Sequence, residues 1–343
     1  MYDDKRKAEY FRKRKVVHFM KKSMKKVLIG SGLAMGTLVA AGAWSYAITK
    51  KLVEIALDRK EDETVEASKK HIAGNPETSA FIKVRENAAE KLEGSSHETV
   101  EIMAQDGIKL VGHWRFCKNP KRIIIAMHGW RSSWARDFGL IADFFYNNDC
   151  HVLYAEQRGQ NNSGGEYMGF GLTERHDCLA WANWIGKQEY GELPVYLCGV
   201  SMGASTVLMT AGFELPPYVH GIIADCGYTS PHAIWKYVVE NNLRLYYDDM
   251  MSSIADEMCR TKIQIGSKDY SCPDALAECK VPVLFVHGTD DDFVPVEMTY
   301  ENYKACTSQK RLLIVPGAGH GMSYVIDRKS YEQAVKQFWT DFD

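Results

Sequence analysis

Apolar and polar positions follow four successive patterns along the 343-residue chain. The first apolar feature is an uncharged run at 27–48, VLIGSGLAMGTLVAAGAWSYAI, of about 22 residues, long enough as a helix to cross a bilayer core. Residues 50–76 are then charged and polar, with Gly74 and Pro76 and no sustained apolar period, and are expected to form a stalk, helical at most at its start. At 77–97 the residues Phe81, Val84, Ala88 and Leu92 recur at three- and four-residue spacing, which predicts an amphipathic helix packed on the next domain. From Glu98 the period becomes β-like. The stretch ETVEIMAQDGIKLVGHWRF predicts two extended runs joined at Asp106-Gly107, a strong hairpin signal.

Beyond the hairpin, short apolar runs alternate with helical stretches. Strands are expected at 122–127, 152–155, 195–198, 222–224, 281–286 and 312–315, with helices at 135–146 and 175–188 between them. Apolar strands separated by crossover helices predict an α/β domain over 98–343, with a mostly parallel sheet covered on both faces. Ligands in such sheets bind at the carboxyl ends of strands, so strand-end residues are the first place to look for chemistry.

Charge changes the picture at the N-terminus. The net charge of −2 is a sum over unlike parts. Residues 1–26 hold eleven Lys/Arg against Asp3, Asp4 and Glu9, a local +8, leaving 31 basic and 41 acidic residues, or −10, for the rest. Lys21, Lys22, Lys25 and Lys26 directly precede the apolar run. By the positive-inside rule they stay cytoplasmic and place the rest of the chain outside, as expected for a signal-anchor in the cell membrane. Ala41-Gly42-Ala43 also fits a signal-peptidase site, so a secreted product of cleavage is the alternative, with a buried soluble helix as a third reading. Gly32 and Gly36 are either a weak homodimer face or the ordinary small-residue content of a membrane helix. Next to such a run, the basic segment is expected to meet lipid headgroups, not nucleic acid. Otherwise the composition, 45% hydrophobic and 25% charged, is that of a globular protein and excludes disordered, collagen-like and polytopic membrane chains.

The strongest chemical signal is Gly199-Val200-Ser201-Met202-Gly203, a G-x-S-x-G directly after one expected strand and before the helical run ASTVLMTAGF. A strand turning sharply into a helix leaves no room for side chains at Gly199 and Gly203, and it exposes Ser201 as a nucleophile. A serine needs a base, and the base an orienting carboxylate. In this order the base is His320, in the loop PGAGHG after the last strand. The acid follows the strand VPVLFV in HGTDDDFVP. Asp291 is the expected choice among Asp290, Asp291 and Asp292, with Asp225 an outside candidate and His287 a packed structural residue. An oxyanion hole needs backbone N–H donors, expected from Met202 and from Trp130 in the loop His128-Gly129-Trp130-Arg131.

These residues, with the segments DGIKLVGHW, MHGW, GVSMGAS, IADCGYTS, HGTDDDFVP and VPGAGHGMSY, resemble the α/β-hydrolase superfamily, in particular bacterial serine hydrolases allied to serine aminopeptidases and prolyl-oligopeptidase-like esterases. The resemblance spans about residues 98–342 and implies an acyl-enzyme mechanism on carboxylic esters or, alternatively, short peptides and amides. A catalytically silent, membrane-tethered binding protein is the rival from another class. The resemblance places the acid on Asp291 and the base on His320. One loop departs from it: relatives carry R-G-H-G-x-S-x-G where this chain has Arg158-Gly-Gln160-Asn161-Asn-Ser163-Gly-Gly165.

Residues of about 228–280 form an insertion where such folds carry a lid. Its Trp235, Tyr237, Leu245, Tyr246, Tyr247, Met250 and Met251 either line an acyl or aromatic pocket or pack among themselves, and Asp248 and Asp249 would disfavour anionic substrates. Of nine cysteines, Cys198 and Cys226 are expected to act as small buried hydrophobes, and Cys259, Cys272 and Cys279 are the plausible bridge partners. No spacing matches a zinc site, and no metal or organic cofactor is implied.

Overall fold

Eight strands form one sheet in the order β1-β2-β4-β3-β5-β6-β7-β8. The structure is a computed structural model that describes residues 36–60, 79–190 and 192–343. The strands are β1 (Glu98–Met103), β2 (Lys109–Arg115), β3 (Arg122–Met127), β4 (Cys150–Ala155), β5 (Val195–Val200), β6 (Val219–Asp225), β7 (Val283–Gly288) and β8 (Lys310–Val315). β1 and β2 pair antiparallel across the Asp106-Gly107 turn, and β2 pairs antiparallel with β4. From β4 to β8 every pairing is parallel.

Alternation along the central strands explains the two layers. In β3, Ile123, Ile125 and Met127 enter one apolar cluster with Trp181, Val207 and Leu276, while Ile124 and Ala126 enter a second with Phe138, Phe145 and Phe338. The first face is covered by α5 (Glu174–Ile185), α6 (Met202–Thr210), α9 (Cys272–Ala277) and α10 (Val296–Ala305). The second is covered by α3 (Trp134–Phe138), α4 (Ala142–Asn147), the short α11 (Ser323–Ile326) and α12 (Arg328–Phe342). This is the α/β-hydrolase architecture. The expected helix 135–146 is divided into α3 and α4 at Gly139, where an added Cβ would lie 2.7 Å from the backbone of Ala88 in the neighbouring helix.

That neighbour, α2 (Ser79–Glu93), is the expected amphipathic helix, but only its C-terminal half packs: Leu92 is buried and Val84 is 53% exposed. Ahead of it lies α1 (Gly36–Leu57). The basic segment 1–26, residues 27–35 of the apolar run, the Gly32 half of its glycine pair and residues 61–78 of the stalk lie outside the described residues. Among the described residues no helix is long and apolar enough to cross a membrane. α1 runs without a break through the boundary expected at residue 48. Its last turns do not stand clear of the domain: Val53, Ala56 and Leu57 are buried in a cluster with Phe170, Met202, Tyr228 and Ile234.

The insertion between β6 and β7 contains α7 (Pro231–Tyr237), a π-helical turn at 238–242, α8 (Asp249–Ile263) and α9. Ser230, Asp248 and Ser271 cap its helices, each accepting a backbone N–H three residues on. Asp248 is therefore engaged in capping. The insertion's aromatic and methionine residues are divided in placement. Trp235 and Tyr237 pack on the cluster around Met202, Tyr247 and Met251 pack with Ile48 and Leu52 of α1, and Tyr246 and Met250 are exposed. Cys259, Cys272 and Cys279 are buried free thiols, as all nine cysteines are free, which corrects the expectation of a bridge. Each has surroundings of its own: Cys259 lies in the cluster that includes Val53 and Leu57 of α1, Cys272 Sγ donates to Ser205 O at 3.6 Å, and Cys279 Sγ donates to Val281 O at 3.2 Å.

Candidate active site

Ser201 stands at the elbow between β5 and α6 with φ 55° and ψ −118°, a left-handed backbone that a non-glycine residue adopts only under constraint. The constraint comes from both flanking glycines. A Cβ on Gly199 would overlap the backbone of Gly203, and a Cβ on Gly203 would overlap the carbonyl of Met127 at the end of β3. The Ser201 N–H donates to Asp225 O at 2.9 Å, which ties the elbow to β6.

His320 and Asp291 reach Ser201 from the ends of β8 and β7. His320 Nε2 lies 2.8 Å from Ser201 Oγ, and its Nδ1 lies 2.7 Å from Asp291 Oδ2. The structure thus brings together all three residues expected from sequence. Asp291 is buried, whereas Asp290 and Asp292 are exposed. Its other oxygen accepts the N–H groups of Phe293 (2.9 Å) and Val294 (2.8 Å). Burial alone would raise the Asp291 carboxyl, but the charge of His320 and hydrogen bonds from His287 and His320 outweigh it and hold the group well below the usual carboxylate range. In His320, burial is outweighed in turn by the charge of Asp291, and its affinity for a proton rises well above that of an ordinary histidine.

Asp225 does not bond His320. It accepts the Ser323 hydroxyl at 3.1 Å and, buried in the sheet end, is pushed up to about 6.

The expected oxyanion donors flank the elbow. Met202 is the first residue of α6 and fully buried, so its N–H is among the helix donors without an intrahelical partner. The β3 loop abuts the serine: a Cβ on Gly129 would lie 3.4 Å from Ser201 Cβ. Asp137 braces this loop from inside, accepting the Gly129 N–H at 2.6 Å and the Ser132 hydroxyl at 2.5 Å. His128, buried beneath it, bonds Gly129 O through Nδ1 (2.8 Å) and accepts the Gln157 N–H at Nε2 (3.1 Å). Trp130 turns its indole outward, where Nε1 donates to Ala56 O of α1 at 2.9 Å.

Two partners of the triad escape sequence reasoning. His287 is packed, as expected, but its Nε2 also lies 3.1 Å from Asp291 Oδ2. Cys226, expected as a strand hydrophobe, lies in the turn after β6 with φ 51°, its thiol beside His320 and pushed up to about 11 by burial. Only its place one residue beyond an acid at a strand end hints at this. Among the described residues Cys226, Asp291 and His320 are the group with metal-ligand spacing, and Asp291 and His320 are already engaged with each other.

In the divergent loop, Arg158 and Ser163 do structural work. Arg158 pairs with buried Asp177 through Nε (2.6 Å) and Nη2 (2.5 Å), while Ser163 Oγ links Val111 N–H (2.9 Å) to Glu156 O (2.6 Å). Asn161 takes φ 49°, a conformation asparagine tolerates better than most residues.

Residues 136–342 match the model of the prolyl oligopeptidase family. The chain belongs to the prolyl oligopeptidase family. Its matched stretch includes Ser201, Asp291 and His320 and begins after the Trp130 loop. Among curated relatives, the uncharacterized protein YqkD of Bacillus subtilis is 28% identical over 57% of this chain, and the match covers 63% of that protein, just under two thirds of its length. The uncharacterized protein YfhR of Escherichia coli K12 is 22% identical over 66% of this chain and 74% of its own. Solved structures share the fold at low identity. The esterase Pf2001 of Pyrococcus furiosus superposes with a TM-score of 0.60 at 20% identity, over 74% of this chain and 93% of that one. Est1E of Butyrivibrio proteoclasticus, solved with ferulic acid, gives 0.57 at 22%, over 71% and 98%.

Proposed function

We propose that this member of the prolyl oligopeptidase family is a serine hydrolase that cleaves carboxylic esters, tethered to the membrane by the apolar run at 27–48. The observation that carries the chemistry is the continuous hydrogen-bonded line from Ser201 through His320 to Asp291, with the serine held in a left-handed elbow. His320 Nε2 takes the Ser201 proton as Oγ attacks the substrate carbonyl. Asp291 holds the ring in the tautomer that keeps Nε2 free to accept and stabilises the imidazolium that forms. The N–H groups of Met202 and Trp130 hold the oxyanion. His320 then protonates the leaving alcohol, and water, activated by the same nitrogen, releases the acid from Ser201.

Esters are favoured over peptides by the closeness of the apolar walls. Met202 shares one buried cluster with Phe170, Tyr228 and Trp235, and Phe293 meets the His320 ring edge-on at 5.0 Å, a lining that suits an acyl or aryl group. The family's description favours peptides as the second reading. The tether rests on the uncharged run and the four lysines before it.

A fluorophosphonate probe tests the chemistry. The purified protein should label, and Ser201→Ala should abolish labelling; label that persists in Ser201→Ala overturns the reading. Asp291→Asn should lower kcat by at least ~1000-fold, whereas Asp290→Asn and Asp292→Asn leave it within a few-fold. Turnover of p-nitrophenyl acyl esters well above that of aminoacyl and prolyl anilides decides between ester and peptide. A C-terminal reporter active only outside the cytoplasm tests the tether.

A further inference from the structure

The last four carbonyls of an α-helix have no partner within it and must find one elsewhere. At the end of α1, Glu54 O accepts the Asp58 N–H at 2.9 Å and the catalytic domain supplies the other partners. Leu57 O accepts the Met168 N–H at 2.7 Å, Ala56 O accepts Trp130 Nε1 at 2.9 Å, and Ile55 O accepts Arg131 Nη2 at 2.9 Å, with Asp58 O just beyond accepting the same guanidinium at 2.6 Å. Three of these four acceptors are held by Trp130 and Arg131, two consecutive residues of the loop beside Ser201. Arg131 has φ 49°, so the residue directly after the proposed oxyanion donor sits in a backbone conformation that needs holding. Its positive charge, with that of Lys262 2.7 Å from Asp58, also faces the negative end of the helix dipole.

The docking continues past the helix. Arg59 donates to the carbonyls of Ser163 (2.6 Å), Gly165 (3.2 Å) and Asn161 (2.6 Å). These lie in the loop that departs from the family pattern. Asn161 in turn donates through Nδ2 to Ser132 O at 2.9 Å, returning to the loop that carries Trp130. Asp137 braces that loop from within; α1 and Arg59 close it from outside.

We propose that the end of α1 is a working part of the active site, and that the Trp130 indole, Arg131 and Arg59 are positioning residues that aim the Trp130 N–H at the oxyanion. This rests on the hydrolase reading above. An oxyanion donor contributes about 100- to 1000-fold to turnover and only when correctly placed, so a loop released from α1 should lose part of that factor while ground-state binding is kept.

The test uses the full-length chain with p-nitrophenyl butyrate. Trp130→Phe keeps the backbone donor and an aromatic ring but removes the bond to Ala56 O. Arg59→Ala acts from a distance, on side-chain contacts that never reach the substrate. Each should lower kcat by about 10- to 100-fold with KM within about two-fold, and should raise the inhibition constant of a trifluoromethyl ketone, whose hemiketal carries the oxyanion, by the same factor. Arg59→Lys should recover part of the loss. If both variants keep kcat within two-fold of the parent, or if KM alone rises, the proposal is overturned. Failure of the hydrolase reading has a different signature: the parent itself would not label with a fluorophosphonate.

Discussion

His287 and Asp291 form a buried pair four residues apart, in which the imidazole Nε2 lies 3.1 Å from the carboxylate Oδ2 that His320 also bonds. The same Nε2 lies 2.9 Å from Val294 O, a pure acceptor, so this nitrogen carries the hydrogen and donates to both. Thr299, 2.6 Å from Nδ1, then donates its hydroxyl to the other side of the ring. Asp291 therefore receives two imidazole N–H groups and two backbone N–H groups, which leaves its carboxylate no conformational freedom.

His287→Leu keeps the packing volume but removes one donor to that carboxylate. Hydrogen bonds to charged groups contribute about 1.5–3 kcal/mol, so a stability loss of that order is expected in urea unfolding. A depressed carboxyl contributes stability that is present above its unfolded pKa and lost as pH falls through the folded one. With His287 gone the depression shrinks. The stability difference from the parent should be full at pH 7 and should shrink as pH falls through the depressed range of the folded carboxyl; a difference independent of pH would show that the bond to Asp291 is not its source.

His320 must be neutral to act as base, and Asp291 raises its proton affinity above the ordinary value near 6.5. The acidic limb of kcat/KM should therefore have its midpoint above pH 6.5. Asp291→Asn removes the raising charge, so the limb of the residual activity should move to lower pH. A shift in the opposite direction would contradict the assignment of Asp291 as the group facing His320.

Asp225 lies at the sheet end, facing His287, His320 and Asp291, and burial lifts it from 3.8 to about 6. A raised carboxyl binds its proton more tightly in the folded state, so folding stability falls as pH rises from about 4 to 6 and stays lower above. The cost is about 3 kcal/mol at pH 8. Asp225→Asn retains an acceptor for the Ser323 hydroxyl and should unfold at higher urea than the parent at pH 8, with the gain lost near pH 4. Its absence at pH 8 would show that the ionised group is better compensated than its burial indicates.

Cysteine reactivity offers an independent check on packing. Burial pushes the Cys150, Cys178 and Cys198 thiols up to about 12 or beyond. Cys306 moves the other way, lowered first by a hydrogen bond from Cys279 and then by contacts with Ser308 and the charge of Lys310, its Sγ 3.3 Å from Ser308 Oγ. Alkylation also needs access, so brief treatment with iodoacetamide at pH 7.5 and peptide mass mapping should find half-buried Cys117 modified before these four buried thiols.

The strands and the meeting of Ser201, Asp291 and His320 are legible in the sequence because each depends on local pattern and chain order. Strands β3 to β7 are almost wholly buried on both faces and so read as apolar runs, the half-exposed edge strand β8 shows itself through its LLIV segment, and His320 is the one histidine in the required place after the last strand. His287 is legible only as a packed residue, since its partner Asp291 is reached through a turn whose shape spacing does not reveal. The end of α1 is hidden for a different reason. KKLVEIAL carries Lys50, Lys51 and Glu54, and its apolar stripe of Val53, Ala56 and Leu57 is too short to stand out beside charge. Its partners Phe170, Met202 and Tyr228 lie more than a hundred residues away. The reverse holds at Val84, where a good helical period continues beyond the surface available to bury it.

The cluster that joins Leu57, Phe170, Met202, Tyr228 and Trp235 draws on the leading helix, the β4 side of the sheet, the elbow and the insertion at once. On the proposed reading, in which Phe170 and Trp235 line the acyl site, substrate preference and thermal robustness are therefore not separate traits. A substitution selected to admit a bulkier acyl group at Phe170 or Trp235 will also slacken the seat of Leu57. Directed evolution of a broader substrate range should accordingly accumulate compensating changes along residues 49–59, far in sequence from the nucleophile yet in the same apolar neighbourhood.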